Sequence, residues 1–343
     1  MIERYNFEEQ KCFIIAEAGV NHNGDIEIAK RLIDEAKNSG CDAIKFQSFK
    51  AKNITTKNAP KAQYQKEATG NGKQYDMLKK LELSYEEHII LKNYCEEKGI
   101  LFISTPFDFE SVDLLEELNI SLYKISSGDL TNIPLLKYIA KLNKPMIIST
   151  GMANLGEIEE TINSIKDAGN QQITLLHCTS NYPTDCCDVN LNAMITMKSA
   201  FKLPIGYSDH TLGIEIPIAA VAMGAKVIEK HFTLDRSMNG PDHKASLEPL
   251  ELKEMVKSIR NIEKAFGDGV KRCNDSEKNT KLIARKSIVS KVKIKRGEII
   301  TEDKLTIKRP GNGIETKNLY HIVGKKALED IEEDTIITWD QIK

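Results

Sequence analysis

From Cys12 to Phe266, short apolar runs rich in β-branched residues alternate with longer stretches of helical period. The short runs are Cys12–Glu17, Ala43–Phe49, Leu101–Thr105, Leu122–Ser126, Pro145–Thr150, Ile173–Cys178, Pro204–Gly206 and Val227–His231. The helical stretches between them are Ile26–Asn38, Tyr85–Lys98, Glu110–Leu118, Pro134–Ala140, Glu157–Lys166 and Ile216–Met223, and Leu250–Phe266 follows the last strand. Strand–helix units repeated in this order predict an α/β fold, a parallel sheet closed into a (β/α)8 TIM barrel. A doubly wound open sheet is the alternative. It usually carries a Gly-rich phosphate turn after its first strand, and Glu17-Ala18-Gly19-Val20-Asn21-His22-Asn23-Gly24 lacks that spacing.

Two segments break the pattern. Residues 50–83 form a long polar connection rich in Lys, Gln and Asn; such loops are functional lids or structural decoration, and both readings stand. After Phe266 the chain becomes charged and glycine-containing, then short and β-like. The expected organisation is a barrel over 1–268, a linker over 269–283 and a small β-rich domain over 284–343. A unit of about 60 residues buries only a modest core, so it should lean on its own barrel or on another subunit.

Composition narrows the function classes. The formal net charge of -2 gives no reason to expect nucleic acid or an anionic membrane as partner. No apolar run approaches the ~20 residues of a bilayer span. The polar start and the lack of a CxxC spacing among seven cysteines point to a reducing cytoplasm. Cys12, Cys41, Cys95 and Cys178 lie in apolar settings and read as small core residues, while Cys186–Cys187 sits in a loop. Any anion site must come from a few placed lysines.

In such barrels the chemistry sits at the carboxyl ends of the strands. Those ends offer Glu17; Lys45 and Gln47; Ser104-Thr105; Lys124 with Ser126-Ser127-Gly128-Asp129; Ser149-Thr150-Gly151; His177, then Thr179-Ser180-Asn181-Tyr182; Ser208-Asp209-His210; and Glu229 with His231. Lys45 and Lys124 lie inside apolar runs, where an unpaired ammonium is costly. With neighbouring hydroxyls they could cradle a phosphate and a carboxylate; structural ion pairs and a Schiff-base lysine are the rival readings. His210 and His231 end consecutive strands and could bind a divalent metal, with Asp129 or Asp209 as oxygen ligand. His22, in the first loop, could join them or equally be a hydrogen-bonding support, and His177 reads as packing. The Gly240-Pro241 turn presents Asp242, either to a polyol or merely to cap the turn. By composition alone Arg309, in Lys308-Arg309-Pro310-Gly311-Asn312-Gly313, is a solvated arginine.

Together these segments resemble the sialic acid synthase family, which makes nine-carbon 2-keto acids. The matching stretches include Ile15 to Gly24, Lys45-Phe46-Gln47, Ser104-Thr105-Pro106-Phe107, Tyr123 to Gly128, Ser149-Thr150-Gly151-Met152, Tyr182-Pro183-Thr184, Ser208-Asp209-His210-Thr211, Glu229-Lys230-His231-Phe232 and Gly240-Pro241-Asp242-His243, in family order. The tail looks like the family's antifreeze-like (SAF) domain. The resemblance implies condensation of phosphoenolpyruvate with an open-chain N-acylated mannose-type sugar, with phosphate leaving by C–O cleavage. It also implies a divalent metal, manganese or magnesium.

By the same resemblance His210 and His231 are the metal ligands. Lys45, Thr105 and Ser208 hold the carboxylate of phosphoenolpyruvate; Lys124, Ser127, Ser149 and Ser180 hold its phosphate. Glu17, Gln47, Tyr182 and Asp242 face the sugar and water. Arg309 reaches the site of a partner subunit in a domain-swapped homodimer. Some members carry Glu where Asp129 stands and Asn where Ser180 stands, which leaves Asp129 as metal ligand or base, and Ser180 as phosphate contact, less secured. The products in view are N-acetylneuraminate or N,N'-diacetyllegionaminate, with pseudaminate or another phosphoenolpyruvate-dependent aldol synthesis as alternatives. A second sugar phosphate would need a further basic cluster, and none stands out. A carbohydrate-binding module without catalysis would leave the strand-end Lys, His and Asp set without purpose.

Overall fold

The computed structural model describes Phe7 and residues 11–343. They form two units, dividing between Phe266 and Gly267. In the first, every strand but one is followed directly by its helix. The order is β1 (Phe13–Gly19), α1 (Ile26–Asn38), β2 (Ala43–Ser48), then three short helices α2 (Ala51–Ile54), α3 (Gln63–Thr69) and α4 (Gln74–Lys79) before α5 (Tyr85–Lys98). There follow β3 (Leu101–Pro106), α6 (Phe109–Glu117), β4 (Tyr123–Ile125), α7 (Ile133–Ala140), β5 (Met146–Ser149) and α8 (Leu155–Asp167). The series closes with β6 (Ile173–Cys178), α9 (Asn192–Phe201), β7 (Ile205–Asp209), α10 (Glu215–Ala222), β8 (Val227–His231) and α11 (Pro249–Ala265). Hydrogen-bonded neighbours run β3-β2-β1-β8-β7-β6-β5-β4, all parallel, and β3 lies beside β4 to complete a TIM-type barrel.

Local sequence sets the helix starts. Asp25 accepts hydrogen bonds from the N–H groups of Glu27 and Ile28 ahead of α1. Ser84 with Glu87, and Asn154 with Glu157, close capping boxes before α5 and α8. Three features depart from the sequence expectation. β7 runs on to Asp209, because its last residues are polar yet buried between neighbouring strands. α9 carries only Met194 and Met197 as buried residues, too weak a stripe to read. The connection 50–83 holds three short helices rather than a bare loop.

Strand alternation separates two apolar populations. Ile14, Ile44, Phe46, Ile125, Ile148 and Ile228 pack outward against the helices. Ile15, Ala43, Ile103, Leu122, Ile147, Leu176 and Val227 plug the barrel interior. β7 contributes Gly206 at the equivalent place, where a Cβ would press on Leu176 Cδ2 at 2.6 Å and Val227 Cβ at 2.8 Å. One step of the pleat beyond each plug residue stands a side chain of the site described below.

In the second unit β9 (Ser287–Ser290) pairs antiparallel with β10 (Leu305–Lys308) over a core that includes Ile288, Ile294, Ile300, Ile314 and Ile337. The stretch 269–283, expected as a linker, carries short helical structure. Asn274 and Glu277 close a capping box before helix α12 (Lys278–Ala284), and the segment groups with this unit.

Candidate active site

Two residues beyond the plug, the eight strands present Glu17, Lys45, Thr105, Lys124, Ser149, Cys178, Ser208 and Glu229. All eight line one cavity of about 490 Å³ at the carboxyl ends of the strands, within the size range of small-molecule sites. The next step of the pleat adds Gln47, Ser180, His210 and His231, and loops add Ser127, Tyr182 and Asp242. Thirteen of the fifteen candidate site residues therefore meet in this cavity. The other two lie elsewhere. Asp129 accepts hydrogen bonds from Ser126 Oγ (2.8 Å) and Asn132 Nδ2 (3.1 Å), and faces a neighbouring recess. Arg309 is exposed in the second unit.

The floor of the cavity is a buried charge cluster. Lys45 Nζ lies 2.8 Å from Glu17 Oε2, 3.0 Å from Thr105 Oγ1 and 3.8 Å from Glu229 Oε2. Lys124 Nζ donates to Ser149 Oγ at 2.7 Å and lies 3.4 Å from Glu229 Oε1, which also accepts from Ser208 Oγ at 2.8 Å. Burial opposes charge on every member, and neighbours decide which groups resist it. Burial pushes Glu17 up to about 7 against the pull of Lys45. For Glu229 the two lysines and the Ser208 hydroxyl outweigh burial and hold the carboxyl at about 2. Lys45 stays firmly charged, since Glu17 and Glu229 overcome its desolvation, while burial lowers Lys124 despite Glu229. An anion arriving here would favour the charged form of Lys124 and meet a ready set of hydroxyl donors.

Beside Lys124 lies a small polar recess. Ser127 Oγ accepts from the Gly151 N–H at 3.0 Å. A Cβ on Gly151 would strike Ser180 Oγ and come within 2.8 Å of Ser127 Oγ, so the backbone itself forms the recess wall.

Across the cavity stand the imidazoles. The rings of His210 and His231 are 5.5 Å apart, and Tyr182 lies on His210 at 4.1 Å. His210 Nδ1 donates to the Thr179 carbonyl at 2.8 Å, and against burial the contacts with Cys178 and that carbonyl raise the ring's proton affinity. His231 Nδ1 is buried without a hydrogen-bond partner, and burial beside His210 and Lys45 keeps the ring neutral. Burial raises the Asp242 carboxyl to about 6. Among the described residues no three His, Cys, Asp or Glu are gathered as a complete metal cage. The paired imidazoles, one with an orphaned nitrogen, still fit a divalent cation whose other positions are open to substrate and water. Asp209 cannot serve as a ligand on this face: alternation turns it out of the barrel, where it pairs with Lys230.

His177 and His22 both make local structural hydrogen bonds, the first as its sequence setting suggests and the second in favour of one of its two open readings. His22 Nδ1 accepts from the Gly24 N–H at 3.0 Å, and His177 Nε2 donates to the Val189 carbonyl at 2.7 Å.

Three participants carry no role in the sequence reading. Glu229 is the anion that both lysines share. Cys178, rather than His177, is the inward residue of β6, and its Sγ lies 3.7 Å from His210 Nδ1. Counting in twos from the plug finds both. Tyr64, on α3, stacks on Tyr182 at 5.2 Å, and nothing local in the sequence announces it.

Comparison with known proteins extends this picture. The NeuB family profile matches residues 32–271 and the SAF domain profile residues 285–343. The chain is 56% identical over 331 residues to the N,N'-diacetyllegionaminic acid synthase of Campylobacter jejuni subsp. jejuni serotype O:2, covering 96% of this chain and 99% of that protein. It is 41% identical over 332 residues to the N-acetylneuraminate-9-phosphate synthase of Homo sapiens, covering 96% and 92%. The crystal structure of the N-acetylneuraminic acid (sialic acid) synthetase of Leptospira borgpetersenii serovar Hardjo-bovis with citrate matches with a TM-score of 0.69 and 40% identity, over 79% of this chain and 90% of that one. Among the described residues no helix is long and apolar enough to cross a membrane.

Proposed function

The chain belongs to the NeuB family, and on that premise we propose that it condenses phosphoenolpyruvate with the open-chain form of an N-acylated mannose-type sugar. The product is a nine-carbon 2-keto acid, N-acetylneuraminate or N,N'-diacetyllegionaminate, and phosphate leaves by C–O cleavage. The observation that carries this reading is one cavity in which two buried lysines and their hydroxyls face a pair of imidazoles.

Lys45, Thr105 and Ser208 would hold the carboxylate of phosphoenolpyruvate, and Lys124, Ser127, Ser149 and Ser180 its phosphate. Gln47, Tyr182 and Asp242 would hold the sugar so that its aldehyde carbon meets C3. A divalent metal on His210 and His231, manganese in preference to magnesium given two nitrogen donors, would supply polarisation of the aldehyde. C3 attacks the aldehyde carbon, the new C–C bond forms, and the aldehyde oxygen takes a proton. Water adds at C2 and gives up a proton, and as the C2–O bond to phosphate breaks, C2=O forms and the remaining hydroxyl proton passes to the leaving phosphate. Glu17, with its carboxyl at about 7, is matched to proton exchange near neutrality. Glu229 holds the two lysines in register. Asp129, tied to Ser126 and Asn132, takes no part in these steps.

Arg309 would arrive from a partner subunit, within a domain-swapped homodimer, and hold the N-acyl group. Its exposed place on a Gly/Pro-shaped loop supports this reading. A cytoplasmic setting suits seven unpaired cysteines. The test is to incubate the protein with phosphoenolpyruvate and each candidate sugar, follow phosphate, and identify the product by mass. Sugar-dependent phosphate release with the mass of the condensed acid is expected; no release with any acyl sugar would refute the reading.

A further inference from the structure

Cys186 and Cys187 stand side by side on the connection between β6 and α9, and the condensation chemistry uses neither. Both are exposed and free of disulfide, whereas Cys12, Cys41 and Cys95 are buried. Buried structural thiols are inert, while exposed ones meet reagents. Their place in the chain gives the pair its consequence. The same connection carries Ser180 and Tyr182 into the cavity, and its Thr179 carbonyl is the acceptor for His210 Nδ1.

The two cysteines lie in the turn that anchors this connection. The Asp188 N–H donates to the Asp185 carbonyl at 3.0 Å and the Val189 N–H to the Cys186 carbonyl at 3.4 Å, so that Cys186–Asp188 form one short helical turn. The carbonyls at its end face back to the barrel. That of Asp188 accepts from Thr179 Oγ1 at 3.1 Å, and that of Val189 from His177 Nε2 at 2.7 Å. Val189 is itself buried. Thr184, just before the turn, donates its N–H to the His210 carbonyl at 2.9 Å and its hydroxyl to the Asn181 carbonyl at 2.7 Å. The turn thereby holds residues 179–182 in place.

Adjacent Cα atoms lie about 3.8 Å apart across a trans peptide, short of the roughly 4.4–6.8 Å that disulfides span. A bond between these two sulfurs closes a small ring around their own peptide. It forms only by displacing the backbone of the turn, and its strain leaves it easily reduced. We propose that Cys186–Cys187 is a reversible oxidation site for small disulfides, and that closing its ring loosens the segment that brings Ser180 and Tyr182 to the cavity and holds His210. One cysteine thiolate attacks the disulfide and expels a first thiolate, leaving a mixed disulfide. The neighbouring sulfur, its proton lost to solvent, attacks the protein sulfur of that bond and expels the second. The pair gives up two electrons and two protons, and the small disulfide becomes two thiols. Asp188 Oδ1 lies 3.9 Å from Cys187 Sγ, so an uncharged disulfide suits the site better than an anionic one.

The test treats the full chain, with the exposed Cys273 thiol removed as Cys273→Ser, with bis(2-hydroxyethyl) disulfide, and reads intact mass, amide hydrogen exchange and turnover. The chain should lose two hydrogens and regain them with dithiothreitol. Neither change should occur when Cys186→Ser or Cys187→Ser is added. Exchange over residues 179–190 should quicken by about tenfold, the worth of one ordinary hydrogen bond. Phosphate release should slow by a similar factor and recover on reduction. No reaction, or a stable mixed disulfide on either cysteine, overturns the proposal. So does a closed ring that leaves exchange over that segment, or turnover, unchanged. An equal loss of turnover in the two added serine variants also overturns it, by placing the effect on Cys178 in the cavity. Mass and exchange do not depend on the condensation reading. Absence of phosphate release before oxidation overturns that reading, and these two measurements then decide the proposal.

Discussion

Replacing Lys230 tests whether the two imidazoles are held by a buried pin on the far side of the sheet. Lys230 and Asp209 are register partners on β8 and β7, and both side chains are wholly buried. Each immediately neighbours an inward histidine, His231 and His210. The Lys230 ammonium donates to Asp209 Oδ2 at 2.5 Å and to the Thr211 carbonyl. Asp209 in turn accepts from the Thr211 N–H at 3.0 Å and hydroxyl at 2.9 Å. Lys230→Met keeps most of the side-chain volume but strands a buried carboxylate. Removing one partner of such a pair typically costs about 3–5 kcal/mol, because the remaining charge has lost its compensation.

Adding Asp209→Asn should recover part of that loss, since the amide oxygen can still accept from Thr211. A coupling energy of roughly 2 kcal/mol is expected from the double-mutant cycle. Urea unfolding followed by far-UV circular dichroism reports the barrel helices. Fluorescence of Trp339, the single tryptophan, reports the small unit and serves as an internal control. The folded single variant should also lose sugar affinity more than phosphoenolpyruvate affinity, as the imidazoles drift. A single change costing under about 1 kcal/mol, or a double mutant whose loss is simply the sum, would refute the pin.

Four further outcomes are expected. Lys124→Ala should raise KM for phosphoenolpyruvate well above its effect on the sugar, by steady-state kinetics. Chelation should abolish turnover and manganese restore it, and His231→Ala should weaken manganese binding measured directly by electron paramagnetic resonance. Arg309→Ala and Glu17→Ala chains, each inactive alone, should regain partial activity when mixed into confirmed heterodimers; no recovery there would count against shared sites. Finally, burial depresses the His22 imidazole to about 4. Between its ordinary value near 6.5 and that point the unfolded chain binds the proton and the folded chain does not. Stability should therefore fall as pH drops through that window, by about 3 kcal/mol at most. His22→Asn, which keeps an acceptor for the Gly24 N–H, should show a flatter melting-temperature profile.

Much of this site is legible because a barrel strand has a period of two. Lys45, Lys124 and Lys230 are each a cation inside a barrel strand. Their fates differ by parity alone. Lys45 stands two before Gln47 and Lys124 two after Leu122, on the inward phase. Lys230 is one before His231, and so points away from it to Asp209. The same count brings in Glu229 and Cys178, and turns out Asp209 and His177. What parity cannot supply is the mouth. Tyr64, Met77 and Leu78 reach the cavity only because short helices, too brief to be stable alone, dock on Val20 and Phe107 through contacts distant in sequence. The floor of the cavity is thus written in the strand pattern, while its mouth is written in tertiary packing.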